Sequence, residues 1–134
     1  MSNSGSTIRH AKARGEWAEL RFMTRAAELG LRVTRPWGDN APYDVAVETR
    51  GRFFRVQIKC TQFKRWTSYR CHLASNGIPY RRDQIDFIAA YVIPADTWYI
   101  FPIDAIHGRA EILLTPDRKN SKHAEFKEAW HLLQ

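Results

Sequence analysis

The sequence predicts a mixed α/β domain, one sheet with a helix packed against it from each end of the chain. Three observations carry that prediction. A Pro-free run of strong helix formers spans Ala11 to Leu29, period-two stretches fill the middle, and helical spacing returns after Asn120. With 134 residues, 44% hydrophobic and 26% charged, the chain is long enough to bury a core and ordinary enough in composition to exclude disorder and fibre. The expected organisation is a flexible tail at residues 1–10 and one folded domain at 11–134.

Each element has its own signal. In the first helix Trp17, Leu20, Met23 and Ala27 recur at helical spacing, and Gly30 is a good stop. Leu31 to Thr34 reads as a short strand, and Arg35 to Tyr43 as a loop broken by two prolines and Gly38. Asp44–Thr49 and Phe53–Cys60 alternate on either side of Gly51, which predicts an antiparallel hairpin. Phe54, Val56, Ile58 and Cys60 face one way, and Arg55, Gln57 and Lys59 the other. A strand at Ser68–Leu73 precedes a turn at Ser75-Asn76-Gly77. Two apolar strands follow at Asp86–Ile93 and Thr97–Pro102, with a short edge strand at Glu111–Leu114. A last helix is expected from Asn120 or Ser121 to Leu133, turning Phe126, Trp130 and Leu133 inward.

Charge points to the class of partner. The formal net charge is +7, and residues 1–82 hold sixteen basic against six acidic side chains while 83–134 hold five against eight. So lopsided a field favours a polyanion. No apolar run reaches the ~18 residues of a membrane span, and the N-terminus lacks an apolar signal segment, so a soluble, cytoplasmic protein is expected. Cys60 and Cys71 form no C-x-x-C pair and the five His lack zinc-ligand spacing, which leaves both cysteines as ordinary thiols.

One constellation carries chemistry. Gln57 and Lys59 lie two apart on one strand, hence on one face, and Asp44 opens the neighbouring strand. Glu19, or Glu16 a turn earlier, can reach in from the first helix. Oxygen ligands beside a lysine suit a hard divalent cation such as Mg²⁺ with a phosphate next to it. Each residue also has a plainer role: helix acids paired with nearby Arg or Lys, a turn-forming Asp44, a solvated strand face. Asp86 reads as a structural strand-start cap.

Taken in order, Gly15-Glu16-Trp17-Ala18-Glu19, Gly30-Leu31-Arg32-Val33, Gly38-Asp39-Asn40-Ala41-Pro42-Tyr43-Asp44 and Val56-Gln57-Ile58-Lys59 resemble the PD-(D/E)XK nucleases. The likeness runs over roughly residues 11–103. It is strongest toward the small branch of Holliday-junction resolvases and group I intron homing endonucleases, which Asp86-Phe87-Ile88 and Trp98-Tyr99-Ile100-Phe101-Pro102 also resemble.

The resemblance implies a restriction-endonuclease-like α/β fold and Mg²⁺-dependent hydrolysis of DNA, with Mn²⁺ as a substitute. It implies Asp44, Gln57, Glu19 and the Ile58 carbonyl as metal ligands and Lys59 as the residue that positions water. It also favours Glu19 over Glu16. Gln57 departs from the family's usual Asp or Glu, as in the homing-type branch, and removes one negative charge from the site. Homing, defence and resolvase-type roles are all compatible with it.

Candidate DNA contacts are Lys64, Arg65 and Arg70, in a stretch that interleaves basic and aromatic residues, and the pair Arg81-Arg82. The alternative for that stretch is a solvated loop with its aromatics folded onto the core. A duplex has two strands of opposite polarity, so a homo-oligomer is expected. The rival functions are a non-catalytic nucleic-acid-binding module of the same fold and a structural subunit that docks an acidic protein.

Overall fold

In the computed structural model, which describes residues 7–134, α1 (Ala11–Glu28) buries Ala18, Phe22 and Ala26, a stripe with a period of four. Trp17 and Met23 flank that stripe, whereas Leu20 is 59% exposed and Ala27 faces solvent. The apolar spacing in the sequence therefore locates the helix but misjudges its inner face by about one residue. Two alanines on the true face let the helix sit close to the sheet, and the phenyl ring of Phe22 fills the gap between them. The helix ends in a Schellman motif: Leu31 N–H donates to the Ala26 carbonyl at 2.9 Å and Gly30 N–H to Ala27 at 3.0 Å. That turn requires Gly30 at φ +80°. At the other end the carbonyls of Ile8 and Arg9 accept from the Arg14 guanidinium. Residues 1–6 of the expected tail lie outside the described residues.

The main sheet runs in the order β1 (Arg32–Thr34), β2 (Val45–Thr49), β3 (Arg52–Thr61), β8 (Phe87–Val92), β9 (Thr97–Pro102). Only β3 and β8 pair in parallel. Their crossover contains β4 (Lys64–Arg65), β5 (Ser68–His72), β6 (Ala74–Ser75) and β7 (Ile78–Pro79). Every residue of β8 is buried, as expected for a central strand covered on both faces. One face packs on α1 through Val45, Val56, Ala89 and Ile100. The other carries Ile88, Ala90, Tyr99 and Phe101 against Tyr69, Cys71 and Ile112.

Two expectations need correction. The strands at Ser68 and Glu111 do not join the main sheet. Instead β10 (Glu111–Leu114), β5 and β4 form a small antiparallel sheet of their own, which covers the second face of the core. A short α2 (Ile103–Ile106) leads from β9 toward it.

The C-terminal segment packs on the sheet as two 3₁₀ turns, Ala124–Phe126 and Trp130–Leu133, rather than as one continuous helix. Glu128 interrupts it at φ +50°. Its N–H donates to the Trp98 carbonyl at 2.7 Å, and its carboxylate accepts from Trp98 N–H and the Trp130 indole N–H, both at 2.8 Å. Strand β9 is the sheet edge, and Glu128 satisfies backbone groups there that a regular helix would leave unpaired. Phe126 consequently packs on one core and Trp130 and Leu133 on the other.

Candidate active site

The register of β2 and β3 builds the site. Val45 stands opposite Val56 at the start of the β2–β3 ladder, and Asp44 immediately precedes it. Asp44 N–H donates to the Val56 carbonyl at 3.0 Å, and Ile58 N–H donates to Asp44 Oδ2 at 2.8 Å. Beyond Val45 the ladder position that β2 would fill is thus taken by an aspartate side chain. Because N–H and C=O of one strand residue point to the same side, the Ile58 carbonyl is directed to this edge as well.

Gln57 and Asp44 line a cleft of about 420 Å³ whose opposite wall is the β6–β7 hairpin with Tyr80, Arg81 and Gln84. Lys59, on the same face as Gln57, lies at the hairpin. Its Nζ donates to the Ala74 carbonyl at 3.5 Å and sits 5.2 Å from the centre of the Tyr80 ring. Glu19 approaches from α1 and holds Arg35 at 3.3 Å. Glu16, one turn earlier, is exposed.

The electrostatics join these groups. Burial raises the Asp44 carboxyl above its ordinary value, opposed by the Ile58 N–H and the charges of Lys59 and Arg35. Burial also raises Glu19, and repulsion from Asp44 adds to it, with Arg35 opposing. Two desolvated carboxylates thus repel each other at one sheet edge, and the nearby cations offset this only in part. A bound cation would relieve that repulsion.

Among the described residues no three His, Cys, Asp or Glu side chains gather as a metal cluster. Two carboxylates, the Gln57 amide and the Ile58 carbonyl are the oxygens at this edge that could hold a metal. All are hard donors of the kind a divalent cation takes.

Of the other sequence-predicted residues, Arg81 lies on the cleft wall and the rest fall elsewhere. Asp86 accepts from Arg55 at its backbone N–H (2.8 Å), Nε (3.0 Å) and Nη2 (3.1 Å), which holds its carboxyl below the ordinary range despite partial burial. Arg70 is bound to Glu111, Arg81 to Asp83 and Arg82 to Asp104. Lys64 and Arg65 lie exposed on β4. Of the aromatics beside them Tyr69 folds onto the core, while Phe63 and Trp66 stay in solvent.

Two site neighbours escaped the sequence reading. Arg35 carries no local motif. Tyr80 could have been found from the Asn76-Gly77 turn, which folds the following residues back toward Lys59.

The helix, the mixed sheet and the Asp44–Gln57–Lys59 edge define a restriction-endonuclease-like α/β domain. A family model described as PD-(D/E)XK endonuclease matches residues 9–133, nearly the whole chain. The chain belongs to that family. No curated protein matches it. Among solved structures it is similar to a bacterial homing endonuclease, I-Ssp6803I, with 30% identity over 96% of this chain and 91% of that one, at a TM-score of 0.75. Among the described residues no helix is long and apolar enough to cross a membrane.

Proposed function

We propose that the protein is a metal-dependent endonuclease that hydrolyses phosphodiester bonds in DNA. The observation that carries this reading is the replacement of a β2 ladder position by the Asp44 carboxylate, desolvated beside Glu19 and facing Gln57 and Lys59. Asp44, Gln57, Glu19 and the Ile58 carbonyl would hold the metal. Bound there, Mg²⁺ or Mn²⁺ supplies positive charge to a phosphate and lowers the pKa of water.

The protein's own groups do the rest. The Ile58 N–H fixes Asp44 in the orientation that leaves its second oxygen for the cleft. Lys59 offers ammonium protons to an attacking water or to the phosphate oxygens. The Ala74 carbonyl and the Tyr80 ring hold that ammonium at the cleft wall and limit its wandering. Arg35 neutralises part of the carboxylate charge that would otherwise repel a phosphate. In-line attack by water with the 3′-oxygen as leaving group would give 5′-phosphate and 3′-hydroxyl ends, the products that the family resemblance implies. A homo-oligomer is proposed as the assembly that brings one such site to each strand of a duplex.

Gln57 supports a second reading, a DNA-binding module with little catalysis, because it withdraws one charge from the donor set. Incubation with plasmid, branched and single-stranded DNA under Mg²⁺, Mn²⁺ or EDTA separates the two. Metal-dependent strand scission supports the nuclease, and salt-sensitive binding without scission supports the module.

A further inference from the structure

Pairing of Lys64 with Tyr69 and of Arg65 with Ser68 leaves Trp66-Thr67 as the two-residue turn of the β4–β5 hairpin. Trp66 adopts φ +64° there. That backbone region suits glycine, and a bulky aromatic in it is an outlier. No packing offsets the conformation, because Trp66 is 90% exposed and its neighbour Phe63 is 70% exposed. Folding therefore does not account for a tryptophan at this tip.

Its surroundings are basic. Lys64 and Arg65 are exposed, and among the described residues neither has a carboxylate partner, in contrast to Arg70, Arg81 and Arg82. The base of the ribbon is firmly held. Thr61 Oγ1 donates to the Arg70 carbonyl at 2.7 Å, Ser68 Oγ and Thr115 Oγ1 are 2.8 Å apart, and β10 pairs along β5. Six residue steps lead from Lys59 to Arg65, at most ~20 Å of extended chain. That reach is shorter than one turn of duplex, ~34 Å.

We propose that this ribbon enters the major groove of duplex DNA beside the cleavage point, with Lys64 and Arg65 on phosphates and Trp66 against the bases. The major groove is the one wide enough for a two-stranded β-ribbon. The proposal rests on the nuclease reading above and adds to it a DNA-reading element.

The test is equilibrium binding of the full chain to random-sequence duplex DNA in EDTA, alongside thermal unfolding. Trp66→Gly should weaken binding about tenfold, the scale of one truncated aromatic contact at an interface. The same variant should raise Tm, since glycine accepts the turn's backbone. Trp66→Phe should bind within about twofold of the parent, and it should lose most of the DNA-induced quenching of tryptophan emission. Duplex carrying glucosylated hydroxymethylcytosine, whose sugars fill the major groove, should bind the parent more weakly.

Equal affinity of the parent and Trp66→Gly overturns the ribbon while leaving the nuclease reading intact. Unchanged quenching in Trp66→Phe, or indifference to the glucosylated duplex, does the same. A parent that neither binds nor cleaves DNA overturns both.

Discussion

Asp44 and Asp86 stand just before β2 and β8, the two strands that flank β3, yet the fold uses them in opposite ways. Asp86 accepts three hydrogen bonds from Arg55, and its carboxyl is held below the ordinary range. It joins β3 to the start of β8 and has little capacity left for a ligand. Asp44 accepts one backbone N–H, is more deeply buried and has its carboxyl raised, with a second carboxylate near enough to repel it. A carboxylate whose charge is already matched is structural. One that is desolvated and underpaired at a cleft is ready for a cation.

The largest effect that would break this contrast is on cleavage. Asp44→Asn and Lys59→Met should each lower the metal-dependent rate at least a hundredfold, about 2.7 kcal/mol of barrier. Circular dichroism should show both folded. Next comes metal affinity, measured by calorimetry. Gln57→Glu should tighten Mg²⁺ binding about tenfold, roughly 1.4 kcal/mol, because a carboxylate replaces a neutral amide at a hard cation. Gln57→Ala should weaken it, and equal affinity across the three proteins would remove Gln57 from the donor set. Asp86→Ala should cost about 1–2 kcal/mol in urea unfolding, the scale of lost charge-assisted hydrogen bonds in a partly solvated pair.

The smallest effect is the sharpest in sign. The Asp86 carboxyl lies below its ordinary 3.8, so its stabilisation is complete above that pH and is lost as pH falls through the folded-state value. The Asp44 carboxyl lies above 3.8, so its ionisation opposes folding. That cost is absent below 3.8 and develops as pH rises through the folded-state value. Asp44→Asn keeps an oxygen for the Ile58 N–H and should be more stable than the parent at neutral pH, the advantage vanishing by about pH 3.8. Asp86→Asn should be less stable at neutral pH and should converge on the parent only below that value. Urea titrations across pH check both slopes.

What the sequence reveals of this site is local. Alternation alone puts Gln57 and Lys59 on one face and Val56 and Ile58 on the other, and the turn at Gly51 sets the register that ends with Val45 opposite Val56 and leaves Asp44 beside Ile58. Long-range competition stays hidden. The C-terminal segment has helical spacing, but the unpaired edge of β9 draws Glu128 out of any helix. Strand β5 looks like a member of the main sheet, yet β8 takes the place beside β3 and β5 turns to β10. The contact between Tyr80 and Lys59 depends on a two-stranded hairpin that the Asn76-Gly77 turn signals but no periodicity reports.

The most direct test compares Asp44→Asn with Asp86→Asn in one assay, nicking or linearisation of supercoiled plasmid with Mg²⁺ and with EDTA. The parent should cut in Mg²⁺ alone, Asp86→Asn should cut within about threefold of the parent at a temperature where it is folded, roughly 0.6 kcal/mol, and Asp44→Asn should give no detectable scission. Cleavage by Asp44→Asn at the parent's rate, or by the parent in EDTA, would contradict it.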